Sequence, residues 1–154
     1  MPQDELLLEK KGQIATLTFN RPKQMNALTG EMTNSTFPRM LRELEEDKTV
    51  RVVIVTGRGD SFCSGADVKI MGQAILEGKL QELLEPGGQP IGGGFVVPLY
   101  NLNKPTIAAI NGVAAGGGVS IALLCDIRLM SDKATFNMAF VRRGLIPDVG
   151  CSFL

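Results

Sequence analysis

The amino-acid sequence predicts an α/β fold with largely parallel sheets, and three observations lead to that prediction. Short β-branched segments recur along the chain and are separated by helical or glycine-rich stretches, an order typical of parallel strands joined by crossovers. Two glycine-rich turns each follow a predicted strand and precede a predicted helix. The 154 residues are 44% hydrophobic and 21% charged, which is enough apolar material for one packed domain.

The first elements are a hairpin and a helix. Segments 5–10 and 13–19 predict two strands joined by a tight turn, because the second alternates polar and apolar residues. Between 29 and 47 apolar residues recur at helical spacing. Pro38 lies inside that pattern, so the helix is expected to kink there or to start afresh near Ser35.

Three further strands are predicted at 50–56, 106–110 and 126–131, since each is a short run rich in β-branched or apolar residues. A helix is expected to begin near Gly118. The stretch 84–95 carries two prolines and five glycines and is expected to be a mobile loop.

One apolar stretch could be mistaken for a membrane helix. Residues 106–125 carry no charge, and 112–116 matches the GxxxG pattern of paired membrane helices. Three consecutive glycines at 116–118 would weaken such a helix at its centre. The stretch is better divided into a strand, a turn and a helix, so no membrane association is predicted.

Charge and cysteine usage exclude several other classes of protein. The 16 basic and 16 acidic residues balance, which disfavours binding to nucleic acid or to an anionic membrane. Cys63, Cys125 and Cys151 form no CxxC pair, so neither a disulfide framework nor a zinc site is expected. The acidic start has no secretory signal pattern, and the cytoplasm is the expected compartment.

The sequence contains no histidine. This absence excludes Ser-His-Asp and Cys-His catalysis, HExxH chemistry and every histidine-ligated metal. No metal site is predicted. Chemistry must therefore use carboxylates, backbone groups, or Ser, Cys, Tyr or Lys side chains of this chain, or come from residues outside it.

The two glycine-rich turns, 64–67 and 116–118, are candidate sites for that chemistry. Each would aim free backbone N–H groups beyond the carboxyl end of a strand, where a helix N-terminus adds partial positive charge. Paired donors of this kind can form an oxyanion hole. Taken singly, either turn is equally explained as a tight strand-to-helix connection. Neither fits GxGxxG or the P-loop pattern.

Five separated motifs, read together, are more specific than either turn. They are Asn20-Arg21-Pro22 with Asn26-Ala27-Leu28, then 62–69 (FCSGADVK), 104–112 (KPTIAAING), Gly116-Gly117-Gly118, and Cys125-Asp126-Ile127-Arg128. In order and spacing they resemble the crotonase (enoyl-CoA hydratase/isomerase) superfamily over nearly the whole chain. The resemblance implies that residues 1–154 form a crotonase-like ββα spiral core, with the C-terminal helical part of the family missing.

The resemblance also implies a substrate and a site. Crotonases bind acyl-CoA thioesters and stabilise an enolate with two amides, which by motif position belong to Ala66 and Gly117. Coenzyme A would be part of the substrate, with no permanently bound cofactor, and relatives form homotrimers or hexamers. The residues placed against CoA are Arg21, Lys23, Met25, Ala66, Asp67, Val68 and Lys69. The three cations among them are equally explained as solvated surface charges.

The reaction type is less directly implied. Hydratases of the family use two glutamates, at positions occupied here by Ser120 and Phe140, and neither side chain can replace a carboxylate as a general base. Asp148, directly after Ile146-Pro147, resembles the carboxylate of the epoxyphenylacetyl-CoA and enoyl-CoA isomerase branch. The resemblance therefore favours an isomerase with Asp148 as the proton shuttle. Asp148 could instead be a helix N-cap.

Other functions stay open on the sequence. The same enolate platform serves hydratase-like lyases, and a lone Asp148 supports covalent attack by a hydrolase or dehalogenase as well as proton transfer. A non-catalytic acyl-CoA-binding module is a further alternative, favoured by the missing glutamates. Asp67 is expected mainly to cap a helix and Asp126 to be structural, while Cys63 and Cys125 are expected to be buried hydrophobes.

Overall fold

A computed structural model describes residues 4–78 and 93–154. Within these ranges the chain is a mixed α/β structure with mostly parallel sheets, which confirms the predicted fold class. The strands are β1 (Leu6–Lys11), β2 (Ile14–Phe19), β3 (Val52–Gly57), β4 (Ser61–Cys63), β5 (Thr106–Ile110), β6 (Val113–Ala115), β7 (Ile127–Met130) and β8 (Phe136–Asn137). The α-helices are α1 (Phe37–Glu46), α2 (Val68–Leu76), α3 (Val96–Tyr100) and α4 (Gly117–Leu124).

Two sheets organise the described residues. The larger has the order β1-β2-β3-β5-β7, with an antiparallel β1-β2 hairpin and parallel pairing from β2 onward. The smaller has the order β4-β6-β8 and is parallel. In β2 and β3 alternate residues are buried, so one face of the larger sheet covers the core. The predicted strands at 13–19, 50–56, 106–110 and 126–131 are found within one or two residues.

The core joins the larger sheet to α1, α3 and α4. Phe19 of β2 meets Phe37 and Phe62 edge to face, with ring centroids 5.8 and 5.9 Å apart. Phe37 stacks on Phe95 at 5.2 Å. Because aromatic pairs contribute about 0.5–1.5 kcal/mol beyond the area they bury, this cluster fixes α1 against the sheet.

Pro38 does not break the predicted helix. A π-helical segment, Met32–Thr36, runs directly into α1, and Phe37 N–H donates to the Met32 carbonyl five residues back. Pro38 then falls in the first turn of α1, where a proline is tolerated because an N–H at that position has no partner within the helix. The chain is therefore helical on both sides of Pro38, and the helix changes from π to α just before the proline.

The smaller sheet was not predicted, because its strands have only two or three residues and show no readable period. The apolar stretch 106–125 divides into β5, β6 and α4, and no helix in the described ranges is long and apolar enough to cross a bilayer. The predicted loop at 84–95 lies largely outside the described residues.

Candidate active site

The two glycine-rich turns lie side by side. β4 and β6 are neighbouring parallel strands, with Cys63 opposite Ala114, so their carboxyl ends meet at one edge of the smaller sheet. The first turn follows β4 and the second follows β6. A methyl group built on Gly65 would lie 3.2 Å from the amide nitrogen of Gly117. Strand pairing therefore brings together the two turns that the sequence singled out.

Glycine is required at this contact for two reasons. Gly65 has φ +85°, a left-handed conformation that L side chains rarely adopt, and its Cβ would lie 2.7 Å from the Ala115 carbonyl oxygen. A Cβ on Gly118 would lie 2.0 Å from the Cys63 carbonyl oxygen. The backbones of the two turns thus touch directly, and no side chain separates them.

The amide of Ala66 is directed by a parallel β-bridge between Ala66 and Leu28. Leu28 N–H donates to the Gly65 carbonyl at 2.8 Å, and Asp67 N–H donates to the Leu28 carbonyl at 3.0 Å. In such a bridge the central residue turns its own N–H away from its partner. The Ala66 N–H therefore points away from Leu28, and Ala66 itself is exposed.

Gly117 is the first residue of α4, and the first amides of a helix have no partner within it. The Gly116 carbonyl accepts from the amides of Val119 and Ser120, at 2.9 and 3.2 Å, so intrahelical bonding starts beyond Gly117. The Gly117 amide therefore lies at a helix N-terminus that is in contact with the first turn, a place where backbone donors can serve as an oxyanion hole.

The segment that holds Leu28 depends on Asn26, which is fully buried with φ 56°. Its amide nitrogen donates to the Ser61 and Arg58 carbonyls at 2.7 and 3.0 Å, and its oxygen accepts from the Arg21 N–H at 2.9 Å. Asn tolerates a left-handed backbone and supplies a donor and an acceptor in one short side chain. Asn26 belongs to one of the five sequence motifs, but its structural role was not predicted from the sequence.

Asp148 lies near the start of α4. The buried Ser120 hydroxyl is 3.5 Å from the Asp148 carbonyl oxygen, and Val149 Cγ2 is 3.8 Å from the Cβ position of Gly117. Neighbouring atoms partly desolvate the Asp148 carboxyl and raise its pKa above the ordinary value, an effect that its own backbone N–H opposes. The backbone of Asp148, 31 residues beyond Gly117 in the sequence, thus lies near the start of α4.

The N-cap alternative for Asp148 finds no support among the described hydrogen bonds. The backbone oxygen of Asp148 accepts from the Cys151 N–H at 2.8 Å, which closes a turn with positive φ at Val149 and Gly150. No cap bond joins the Asp148 carboxylate to this turn in the described part of the chain. Phe140, the other position where hydratases carry a glutamate, is buried and 5% exposed.

The residues expected to contact CoA fall into two groups that differ in exposure. The side chains of Lys23, Met25, Val68 and Lys69 are exposed on the side of the first turn. Lys23 also lines a cleft of about 340 Å³ together with Glu5, Asn20, Arg21, Pro22 and Gln24. These four side chains are therefore accessible to a ligand that reaches the exposed Ala66.

Arg21 differs from this group, because its side chain is only 14% exposed and already engaged. It forms ion pairs with Glu5 and Asp67, each at 3.0 Å, and donates to the Ala27 carbonyl at 2.6 Å. Asp67 also accepts from the backbone N–H groups of Lys69 and Ile70, which confirms the predicted helix cap. The sequence left open whether Arg21 meets a phosphate or is a solvated surface charge, and in the structure its guanidinium is paired with Glu5 and Asp67.

Two polar side chains outside the first turn, the carboxylate of Asp126 and the amide of Asn111, have structural roles. Asp126 accepts from both the N–H and the hydroxyl of Thr106, at 2.8 and 2.7 Å, and so ties the end of α4 to β5. Asn111 donates to the Gly57 and Gly59 carbonyls at 2.9 and 2.7 Å and holds the carboxyl end of β3.

Cys63 and Cys125 are buried, and burial raises the pKa of each thiol to about 12. Thiols in such surroundings stay protonated at neutral pH and are poor nucleophiles. Among the described residues no cluster of three or more Cys, Asp or Glu side chains could hold a metal ion.

These features define a class of protein: an α/β domain in which two glycine turns touch through their backbones at the start of a helix, with the partly desolvated Asp148 following nearby in the fold. Comparison with known proteins then identifies the family. Residues 9–154 match the family described as enoyl-CoA hydratase/isomerase, and the chain belongs to that family.

Individual relatives agree with this assignment. The chain is 40% identical over 152 residues to a short-chain-enoyl-CoA hydratase of Clostridium acetobutylicum, covering 97% of the chain and 55% of the relative. It is 34% identical over 154 residues to the mitochondrial 3-hydroxyisobutyryl-CoA hydrolase of Homo sapiens, covering 96% of the chain and 37% of the relative. A crystal structure of an enoyl-CoA hydratase from Polaromonas sp. JS666 aligns with TM-score 0.84 and 31% identity, over 96% of this chain and 56% of that one.

The chain thus spans about half the length, or less, of these relatives. Two of these relatives are named as hydratases and one as a hydrolase. The family is therefore established, whereas the reaction has to be argued from the site.

Proposed function

We propose that this protein binds acyl-CoA thioesters and stabilises their enolates with the amides of Ala66 and Gly117, and that it moves a double bond with Asp148 as the proton shuttle. The observation that supports this most directly is the contact between the two glycine turns, 3.2 Å from the Gly65 Cβ position to the Gly117 nitrogen. The turns that carry the two amides are therefore in backbone contact, and neighbouring donors of this kind can share one oxygen; removing one donor from such a site typically slows catalysis about 10²–10³-fold.

The reaction follows from the charge arrangement. The Asp148 carboxylate removes a proton from C2 of a 3-enoyl thioester, and the electron pair moves onto the thioester oxygen held by the two amides. The same proton then returns to C4 as the double bond shifts to C2–C3, so one acid serves both steps. A raised pKa makes Asp148 a stronger base than an ordinary aspartate, which favours abstraction of a weakly acidic proton.

Isomerisation is preferred over hydration because of what occupies the two glutamate positions. Ser120 is fully buried with its hydroxyl towards the Asp148 backbone, and Phe140 is buried. Neither side chain can deprotonate water at neutral pH. Asp148 is then the single acid that the proposal requires at the amide pair.

For the CoA moiety we propose contacts on the exposed side of the first turn. Lys23 and Lys69 are exposed cations, and Met25 and Val68 are exposed apolar side chains. The cleft beside Lys23 is about 340 Å³, a size suited to one aromatic base. Arg21 is left out of this group because its guanidinium is paired internally. Assembly into trimers or hexamers remains a proposal.

A second candidate is thioester hydrolysis. It is favoured by the 34% identity to the human 3-hydroxyisobutyryl-CoA hydrolase and to two relatives in Arabidopsis thaliana named probable 3-hydroxyisobutyryl-CoA hydrolases. Here the two amides would hold the oxygen of a tetrahedral intermediate instead of an enolate. Hydrolysis releases free CoA thiol, whereas isomerisation leaves the thioester intact.

The deciding experiment incubates the protein with 2-enoyl-CoA and 3-enoyl-CoA in heavy water. Mass spectrometry follows deuterium uptake and double-bond position, and a thiol reagent follows CoA release. Asp148→Asn is compared with Asp132→Asn, an equivalent change at an exposed aspartate in the turn after β7. We expect exchange and migration in the unaltered protein and in Asp132→Asn, with at least about a 10²-fold loss in Asp148→Asn.

Other results would select a different function. Release of thiol without migration would favour the hydrolase, and formation of 3-hydroxyacyl-CoA would favour a hydratase. Binding of the thioester without any exchange would indicate a non-catalytic module.

A further inference from the structure

Arg21 is connected to the Ala66 amide by a chain of hydrogen bonds. The Arg21 Nη1 donates to the Ala27 carbonyl oxygen at 2.6 Å. The amide of the same peptide group, Leu28 N–H, donates to the Gly65 carbonyl oxygen at 2.8 Å. The Gly65 carbonyl belongs to the peptide group Gly65–Ala66, and the N–H of that group is the Ala66 amide, the proposed oxyanion donor. Two peptide groups thus lie in line between the guanidinium and the site.

The geometry of the peptide bond makes this chain directional. In a trans peptide the C=O and the N–H lie in the peptide plane and point in opposite directions, and none of the described peptide bonds is cis. A donor on the Ala27 oxygen therefore directs Leu28 N–H towards Gly65, and a donor on the Gly65 oxygen directs Ala66 N–H away from Leu28. The orientation of the oxyanion donor is set at the far end by Arg21.

The same chain changes the strength of the donor. Hydrogen bonds in series polarise one another, by roughly 10–30% per bond, and the first donor here carries a full positive charge. The guanidinium is held in place by Glu5 and Asp67, at 3.0 Å each, and its side chain is 14% exposed. These two carboxylates fix the guanidinium plane and keep the third donor on Ala27.

Asp67 links this arrangement to the opposite side of Ala66. One carboxylate oxygen accepts from Arg21 at 3.0 Å, and the other caps α2 through the amides of Lys69 and Ile70, at 3.1 and 3.4 Å. Asp67 follows Ala66 directly, so both peptide groups that flank the donor are restrained. A lone surface cation would provide neither restraint.

We infer that Arg21 is a positioning residue for catalysis, which aims and polarises the Ala66 amide through the peptide groups Ala27–Leu28 and Gly65–Ala66. This inference rests on the proposed function, since it assumes that Ala66 binds the thioester oxygen. It assigns Arg21 to the reaction without contact between Arg21 and the substrate.

The test measures the carbonyl directly. A thioester labelled with ¹³C at C1 is bound to the protein, and isotope-edited infrared difference spectroscopy records the C=O stretch, which moves to lower frequency as the oxygen accepts stronger hydrogen bonds. Arg21→Met removes the donor and the charge, while Arg21→Lys keeps the charge but lacks the planar fork. Arg58→Met is the control, because Arg58 bonds to Asn20 at 3.1 Å and not to Ala27.

We expect a downshift in the unaltered protein and in Arg58→Met, a smaller downshift in Arg21→Lys, and the smallest in Arg21→Met. We also expect kcat to fall roughly 10-fold in Arg21→Met with little change in KM, less than the 10²–10³-fold that deletion of a donor produces. If Arg21→Met does not fold, as judged by circular dichroism, the comparison rests on Arg21→Lys.

Two failures are distinguishable. No downshift in the unaltered protein, with the thioester bound, would reject the oxyanion hole and with it the proposed function. An equal downshift in the unaltered protein and in the folded Arg21 variants would leave the oxyanion hole in place and reject the role of Arg21.

Discussion

The contact between Gly118 and Cys63 gives a sharp prediction, because a single methyl group tests the packing of the two glycine turns. In Gly118→Ala the new Cβ would lie 2.0 Å from the Cys63 carbonyl oxygen. This is about 1 Å shorter than 3.0 Å, the distance below which real Cβ atoms essentially never approach another heavy atom. The atom in its way belongs to the backbone of β4 and cannot rotate aside. Either α4 or β4 must therefore move by about 1 Å.

The expected magnitude follows from two opposing terms. Alanine stabilises a helix by about 0.5–1 kcal/mol relative to glycine, whereas forced overpacking costs typically 1–3 kcal/mol and sometimes more. Because the contact is with backbone, we expect Gly118→Ala to lower the free energy of unfolding by about 2 kcal/mol. With a urea m-value of about 2 kcal/mol/M this moves the unfolding midpoint down by about 1 M.

A matched control exists in α2. A Cβ on Gly72 meets no described atom within 4 Å, so Gly72→Ala should gain only the helix term and raise the midpoint by about 0.25–0.5 M. Urea unfolding followed by circular dichroism measures both variants. If Gly118→Ala were as stable as Gly72→Ala, the two turns could not be in the contact described.

The same displacement should affect function. Gly118 is next to Gly117, and a shift of about 1 Å in a group that binds the transition state can reduce rate about 10²-fold. We therefore expect Gly118→Ala to lose deuterium exchange at C2 while Gly72→Ala keeps it.

Three further predictions concern other groups. Asp126→Asn should lower the free energy of unfolding by about 1–3 kcal/mol, because both donors of Thr106 bond to the same carboxylate oxygen and lose a charged acceptor; thermal unfolding measures this. The pKa of Asp148 is raised in the folded state, so its protonated form favours folding, and that stability is lost as pH rises above the ordinary value of 3.8. Asp148→Asn should therefore be more stable than the unaltered protein near pH 7 and show no advantage near pH 3. Cys63 and Cys125, with thiol pKa values of about 12, should resist a thiol reagent at pH 8 until the protein unfolds.

Each of these has a clear contrary result. An unchanged melting temperature in Asp126→Asn would mean that the α4-to-β5 connection does not depend on this carboxylate. A stability advantage that persists at low pH would show that burial of charge at Asp148 is not its cause. Rapid labelling of both buried thiols in folded protein would show that β4 or the end of α4 opens frequently.

Much of the architecture was readable from the sequence because it depends on local patterns. The alternation in 13–19 and the β-branched run at 50–56 predicted strands, since burial on one face of a sheet imposes a period of two. The glycine turns were recognised because only glycine permits tight strand-to-helix connections. The five motifs were specific enough to indicate the family, which the match over residues 9–154 then established.

Other features depended on contacts between distant residues. The three-residue strands β4 and β6 carry no periodic signal, yet their pairing brings residues 64–67 and 116–118 together. Arg21 looked like a surface cation because neither Glu5 nor Asp67 is recognisable as its partner from spacing. The placement of Asp148 beside Ser120, 28 residues apart, was equally hidden.

The sequence by itself therefore determined the strands of the larger sheet, the start of α4 and the glycines that mark the two turns. Those depend on backbone preferences and side-chain chemistry that each residue carries locally. Only the tertiary structure decided that the two separate turns touch through their backbones, and that the Arg21 guanidinium bonds to the Ala27 carbonyl, whose peptide group bonds in turn to Gly65. The physical reason is that hydrogen-bond direction and ion pairing depend on distances between elements, which strand pairing sets and local sequence does not encode.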